Sequence, residues 1–422
     1  MKLGCERTLS KFVQHSPISY AGSYAGSCAG PPALVVLLLS TPLGGAVAFA
    51  QQIAGCALFP TDSIWNTRID SLPLDSASDT YVDTIGADTN VHPDFGSGDW
   101  PPGSGSPIGI PYVVVPASQP SVPVSFLYDD ESDSGPYPIP PDAPIEGGSA
   151  SNGDRHVLVV SSGSCALYEL FYAFPQSGGT SWSADSGAIF EFDSYDLRPT
   201  TWTSADAAGL PILPGLVRYE EVEAGAIEHA LRFTAPRTRR AYVWPARHFA
   251  SSLTGVQYPP MGQRFRLRSG FDLTSFSPRV QVILRALKEY GMMLADNGSA
   301  WFLSGVPDER WDNDELRELA DVKGSDFEAV DVSSLMVDPD SSRTTPVAVC
   351  TAADQVTVMD TTVLARQVIG ACNEILVGPS VSIFGPNGHA VFNAGNRVIF
   401  SDLAVFDDGT LEVVIGLPLL SE

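Results

Sequence analysis

The sequence predicts a mainly β protein: a β-sandwich or jelly-roll-like main domain with one or two helices, plus a small C-terminal β-solenoid-like module. Three observations carry this expectation. The 34 prolines and 38 glycines punctuate short apolar runs, the rhythm of sandwiches and barrels rather than of helical bundles. The runs themselves are rich in β-branched and aromatic residues, as at Arg155 to Val160, Cys165 to Phe174, Ala188 to Asp193, Ile227 to Phe233 and Arg264 to Leu267. Helical spacing is confined to Pro278 to Tyr290, with Val280, Ile283, Leu284 and Leu287 along one face, and to Asp314 to Val322.

In chain order, residues 1–50 read as a secretory signal peptide. Lys2, Arg7 and Lys11 precede an apolar run from Ala33 to Ala50, and Ala48-Phe49-Ala50 suits cleavage after small residues. Pro42 and Gly44 break the run, so it is too short for a stable membrane anchor, and no later segment is apolar enough to cross a bilayer. A retained helix, or a lipid anchor on Cys56 after Ile53-Ala54-Gly55, is the lesser reading. The expected product is secreted and extracellular, beginning near Gln51. Losing three basic residues and Glu6 takes the formal charge from −25 to −27, which argues against nucleic acid as a partner.

Residues 51–335 form the expected main domain. Residues 96–107 and 130–154, rich in Gly, Pro, Ser and Asp, read as long surface loops of the kind that shape binding sites on a rigid β scaffold. Residues 336–348, with Asp338-Pro339-Asp340-Ser341-Ser342, read as a linker. Residues 349–422 form the C-terminal module, in which Val381 to Ile383, Ala390 to Phe392, Val398 to Phe400, Leu403 to Phe406 and Leu411 to Ile415 are short strands at even spacing, as in stacked rungs. Cys56, Cys165, Cys350 and Cys372 allow three disulfide connectivities; grouping by position suggests Cys56 with Cys165 and Cys350 with Cys372, free buried thiols being the alternative.

The blocks HPDFGS (92–97), DESDSGPYPIP (130–140), GDRHVLVV (153–160), TSADAAGLPILPGLVRYEEV (203–222), HALRFT (229–234), AYVWPARHFASS (241–252), PPMGQRFRL (259–267) and ADNGSAWFLSG (295–305) resemble signature blocks of a family of secreted, functionally uncharacterised microbial β-rich proteins. The resemblance covers about residues 57–332 and implies kinship without implying a reaction. The C-terminal part resembles small stacked-strand modules of bacterial surface proteins, which implies cell-surface association.

Chemistry is expected in the first domain. Between His229 and Gly270 lie Arg232, Arg237, Arg239, Arg240, Arg247, Arg264, Arg266 and Arg268, with no Asp or Glu. Guanidinium forks suit anionic ligands, and on a strand Arg264, Arg266 and Arg268 share one face, so an anionic polysaccharide fits such a row. Pairing with the protein's own carboxylates is the plainer reading. His156 and His248 each adjoin an arginine, as proton transfer near neutral pH favours, whereas His229 alternates with core residues.

Glu169, inside an apolar strand, is expected to have a raised pKa suited to a general acid. Asp206 flanks an apolar segment, as do Glu220 and Glu221. The catalytic candidates are therefore His156, Arg247, His248, Glu169 and Asp206. Arg232, Arg264, Arg266, Trp244, Asp296, Asn297 and Trp301 are the candidates for substrate contact, the tryptophans as platforms for sugar rings. Glu191, Asp193 and Asp196 form E-x-D-x-x-D, similar to a strand motif of jelly-roll β-glucanases but with Asp at its last position. No metal-binding spacing and no cofactor or serine-nucleophile motif is present, so neither metal nor cofactor is expected. The function these features suggest is a secreted carbohydrate-active protein that binds and cleaves a polysaccharide, as a glycoside hydrolase or a polysaccharide lyase. The alternative is a non-catalytic extracellular surface or adhesion protein.

Overall fold

The computed structural model describes residues 51–345, together with the backbone of strands between Gln355 and Ile415. The signal-peptide expectation for residues 1–50 and the Cys350 to Cys372 pairing lie outside the described residues. Sheet outweighs helix, 26% to 17%, so the β-rich class stands.

Two sheets dominate. The four-stranded sheet orders Ser186–Glu191, Ala166–Phe171, Val157–Ser161 and Tyr112–Val115. Its strand Val157–Ser161 is buried along its whole length, because the sheet packs on both faces. Val157, Val159 and Leu170 join Tyr137, Ile139 and Trp182 in one cluster, while Leu158, Val160, Ala188 and Phe190 join the larger core on the other side. A near-continuous Val/Leu run is the sequence form of a doubly covered strand. The first cluster is closed by a three-stranded sheet of Val124–Phe126, Ser181–Ala184 and Phe174–Gln176.

The six-stranded mixed sheet orders Phe327–Val330, Arg264–Leu267, Met292–Asn297, Leu231–Ala235, Phe302–Ser304 and His92–Asp94. The helix Pro278–Glu289 starts with proline in its first turn, where a missing N–H costs nothing, and buries Val280, Ile283, Leu284 and Leu287 as its spacing predicts. Asn313–Leu316 is capped by Asp312, whose Oδ1 accepts from the amides of Asp314 and Glu315, and continues as a 3-10 turn over Arg317–Asp321. Two further helices, Ser78–Ile85 and Tyr219–Ala224, were not legible because each is shorter than the window in which periodicity emerges.

Strand boundaries moved where single residues left the β region. The strand expected from Arg155 starts at Val157, since Arg155 takes φ 51°, and the run from Cys165 breaks at Tyr172, φ 52°, into Ala166–Phe171 and Phe174–Gln176. A disulfide joins Cys56 to Cys165 across 109 residues, a closure worth about 4 to 5 kcal/mol of unfolded-chain entropy. From Met336 to Thr345 the stretch expected as linker is held on the domain: the Ile64 amide donates to Ser342 O at 2.8 Å, the Thr344 amide to Asp62 O at 2.8 Å, and Ser342 and Thr344 are buried. The later strands pair in parallel as three three-stranded sheets, Gln355–Val358 with Glu374–Val377 and Arg397–Phe400, Thr362–Val363 with Ser382–Phe384 and Val405–Asp407, and Arg366–Ala371 with His389–Ala394 and Thr410–Ile415.

Candidate functional site

One residue's backbone gathers the site. The Ala208 amide donates to Ala295 O at 3.0 Å, tying the loop of Asp206 to the strand of Asp296, and its carbonyl accepts from the amides of Arg247 and His248 at 2.8 and 3.2 Å. Gly209 must turn here at φ +71°, and a Cβ would fall 2.7 Å from Trp202 O. The Ser204 hydroxyl accepts from the Asp206 amide at 2.8 Å and donates to Leu210 O at 2.6 Å, closing the loop on itself. In the partner strand the register shifts between Phe233 and Thr234, an irregularity of the kind that re-aims side chains beside active sites.

These elements line a pocket of about 370 Å³, within the size of ordinary small-ligand sites. Its walls carry Glu131, Asp154, Asp206 and Asp296, with His248, Asn297 and the rings of Tyr128 and Phe171 beside them. Asp206 is sealed beneath the wall: Oδ2 accepts from Arg232 Nε at 3.3 Å, and Oδ1 has no hydrogen-bond partner among the described residues. Such an orphaned buried oxygen is rare and calls for an explanation. Burial raises the Asp206 pKa, with Arg232 and His156 pulling the other way. Asp296 reaches solvent, and burial, reinforced by the charge of Asp206, pushes its carboxyl up to about 7. The pair can hold one proton between them near neutral pH.

His248 lines the same pocket. Its Nδ1 sits 2.9 Å from Ala207 O, so the neutral ring carries its proton there and leaves Nε2 as an acceptor. Behind the pocket, His156 places Nδ1 2.6 Å from Glu146 Oε2 and Nε2 2.9 Å from Ala205 O. Burial opposes the charge on this imidazole, but Glu146 overcomes it and pushes the pKa up to about 9. Glu169 is fully buried and accepts from the Ile212 and Leu213 amides at 3.0 Å; burial pushes it up to about 7 against those bonds. A ligand atom each of Glu146, Asp154 and His156 lie within 4.8 Å of one another, yet both nitrogens of His156 already face acceptors, so the ring has no lone pair for a metal while charged.

The structure thus brings Asp206, Asp296, Asn297 and His248 to one pocket, with His156, Glu169 and Arg232 behind it. Others expected at the site serve elsewhere. Arg247 donates to Arg198 O, Pro339 O and Thr200 Oγ1 and pairs with Asp340, pinning the 339–340 segment. Arg264, buried, donates to Tyr290 O at 2.7 Å and to the carbonyls of Ile64 and Thr67; Arg266 pairs with Glu328 and donates to Ile69, Asp70 and Leu72 carbonyls. The two lie on one face of their strand as alternation requires, but that face meets chain rather than ligand. Trp301 is no sugar platform: it is buried between Phe233 and Phe327, with ring centroids at 5.4 and 5.2 Å, and its Nε1 donates to Gly86 O. Trp244 donates Nε1 to Ser341 O, which ties it to the same 339–342 segment.

Asn297 lines the pocket with its side chain anchored between Thr238 and Ala250 O. Arg232 binds Asp206 and Ser304 and faces no solvent. His229 is a core residue, bonded to Glu221 at 3.1 Å, and Glu191 and Asp193 stand exposed. Sequence reading missed Glu131 and Glu146, although both fall at or within the loop expected to shape a site; only their contacts distinguish them from other loop acids. Set against protein-family models, curated proteins and solved structures, the chain matches none.

Proposed function

We propose that the protein is a secreted, carbohydrate-active hydrolase that cleaves a glycan at the pocket of Asp296 and His248. The observation that carries this reading is the carboxyl of Asp296, open to the pocket and kept protonated up to about pH 7 by burial and by the sealed charge of Asp206. In the proposed step Asp296 gives its proton to the leaving glycosidic oxygen while His248 Nε2 takes one from the attacking water. Tyr128 and Phe171 offer rings to the apolar faces of a sugar, and the acceptor-rich wall suits its hydroxyls.

A lyase reading loses support, because it needs a cation free to neutralise a substrate carboxylate, and Arg232, Arg247, Arg264 and Arg266 are engaged within the fold. Export is favoured by the Cys56 to Cys165 bridge, which persists in oxidising compartments. Sheet packing on both faces of Val157–Ser161 supports a sandwich-like core. A polysaccharide panel assayed for reducing ends and for unsaturated uronate products tests the reading: reducing ends without unsaturation are expected, and Asp296→Asn should abolish them. Unsaturated products, or activity retained in Asp296→Asn, would remove the proposal.

A second reading, a non-catalytic surface or adhesion protein, draws on the three parallel three-stranded sheets between Gln355 and Ile415, whose pairing suits a solenoid-like module for cell-surface attachment. It predicts glycan or surface binding with no product.

A further inference from the structure

The ladder that carries Phe171 ends in a paired distortion beside the pocket. Val157–Ser161 and Ala166–Phe171 run antiparallel, with Val157 opposite Leu170. Just outside that last pair each chain turns through a residue of positive φ, Arg155 at 51° and Tyr172 at 52°, and the Tyr172 amide donates to Asp154 O at 2.8 Å. A residue with a Cβ is rare in this conformation, which glycine would take freely. The turn interrupts the alternation of the strand, so that the exposed Tyr172 ring lies 6.2 Å from the ring of Phe171 in the pocket wall. Its support is built in layers. Phe174 meets Tyr172 edge to face at 4.9 Å, the Arg155 guanidinium lies 4.1 Å over the Phe174 ring, and Arg155 in turn donates to the carbonyls of Ala173, Ser149 and Ser151. A strained backbone that holds an exposed ring on a rigid support is an outlier of the kind found at ligand clamps.

Tyr172 stands outside the pocket, whose lining includes Phe171 and Tyr128. The Asp185 backbone ties those two together, its amide donating to Phe171 O at 2.9 Å and its carbonyl accepting from the Tyr128 amide at 2.9 Å. A ligand that fills the pocket and also covers Tyr172 continues out of it, as a chain of units does and a single sugar does not. The rings suit the apolar C–H faces of sugars, and Asp154 and Glu131 in the wall accept from hydroxyls. No Lys or Arg lines the pocket to balance a uronate, and an acyl chain would leave the polar part of the wall without donors. We propose that Tyr172 is an outer platform for a neutral glycan chain, stacking a sugar unit one or more places along from the unit in the pocket. This rests on the glycan-cleaving reading and gives it a substrate class, an uncharged oligomer or polymer, in place of the anionic one that the arginine-rich block suggests.

The test uses the full chain with neutral gluco-, xylo- and manno-oligosaccharides from disaccharide to hexasaccharide, polygalacturonate and an apolar peptide. Each is assayed for binding by calorimetry, and the glycans also for reducing ends. Affinity for the favoured neutral series should rise with length. Tyr172→Gly relaxes the positive φ, so the fold should persist, while the ratio of hexasaccharide to disaccharide affinity should fall about tenfold, the scale of one stacked ring. Tyr172→Asn, also suited to positive φ, should repeat that loss, and Tyr172→Phe, which keeps the ring, should keep the ratio. A ratio unmoved in both ring-less variants, or affinity that does not grow with length, overturns the platform. So does tighter binding of polygalacturonate or of the apolar peptide than of every neutral glycan, or no glycan binding at all. A ratio that falls in Tyr172→Gly with no new reducing ends from any glycan upholds the platform and sinks cleavage. Reducing ends released from the hexasaccharide with the same KM by the parent and by Tyr172→Gly uphold cleavage and sink the platform.

Discussion

His156, buried, and Glu146, partly exposed, form an ion pair, Nδ1 to Oε2 at 2.6 Å, whose imidazole turns its other nitrogen to Ala205 O next to Asp206. The pair thereby links the long loop before the strand Val157–Ser161 to the loop that carries the sealed carboxyl of the site. Its position explains why the pH behaviour of stability and of activity should be separable by mutation.

For the pair itself, Glu146 raises His156 to about 9, and His156 in turn holds Glu146 below its ordinary value despite burial. The histidine contribution is complete below about pH 6.5 and lost as pH rises through about 9; the glutamate contribution is present above about pH 4.5 and lost as pH falls. Glu146→Gln should therefore destabilise the fold by about 3 kcal/mol between these limits. Denaturant unfolding at pH 7, together with NMR titration of the His156 ring, measures both effects; an unchanged midpoint and a ring still charged at pH 8 would contradict them.

At the pocket, Asp206 is second only to burial in holding the Asp296 proton. Asp206→Asn keeps an oxygen for Arg232 but removes the charge, so the Asp296 pKa should fall. Activity that needs protonated Asp296 should lose its alkaline limb at lower pH, by about one unit or more. A profile that stays in place would show that Asp206 does not tune the acid.

Glu169 contributes to stability with the same pH sign as His156 and the opposite sign to Glu146. Its folded pKa, about 7 against 4.5 for the free group, means that the folded state binds the proton more tightly. That stabilisation is complete below about pH 4.5 and lost as pH rises through about 7, a swing on the order of 3 kcal/mol. Glu169→Gln keeps an acceptor for the Ile212 and Leu213 amides and removes the titration, so its stability curve should be flatter than the parent's over this range. Parallel curves from pH 4 to 8 would refute the assignment.

Trp301 separates packing from recognition. Its ring is 1% exposed, so Trp301→Ala should cost about 3 to 5 kcal/mol through the cavity it leaves. Trp301→Phe should retain folding and any glycan affinity. Loss of glycan binding by the phenylalanine variant at unchanged stability would restore the platform role.

How much of this was legible depended on distance along the chain. The helix Pro278–Glu289 and the strand Arg264–Leu267 followed from local spacing, and Glu169 could be singled out because a charge inside an apolar strand has few places to go. Arg264 and Arg266 were correctly set on one face of a strand, but what the face meets, Tyr290 O and Glu328 among others, is contributed by segments far away. Arg247 misled for the same reason: nothing near it in the chain announces that Pro339 and Asp340 return to it.

The sequence by itself determined the β-rich class, the principal helix, the Cys56 to Cys165 pairing suggested by position, and the list of groups from which a site could be drawn, because periodicity, turn chemistry and residue type act over a few neighbours. Only the tertiary structure decided which of those groups meet. Asp206 and Asp296 are brought together by one backbone hydrogen bond from Ala208 to Ala295 across two segments, and the perturbed acidity of Asp296 arises from burial and from a charge that the chain supplies from that other segment. Electrostatic coupling depends on distance and solvent exclusion in the folded molecule, and neither is written in local pattern.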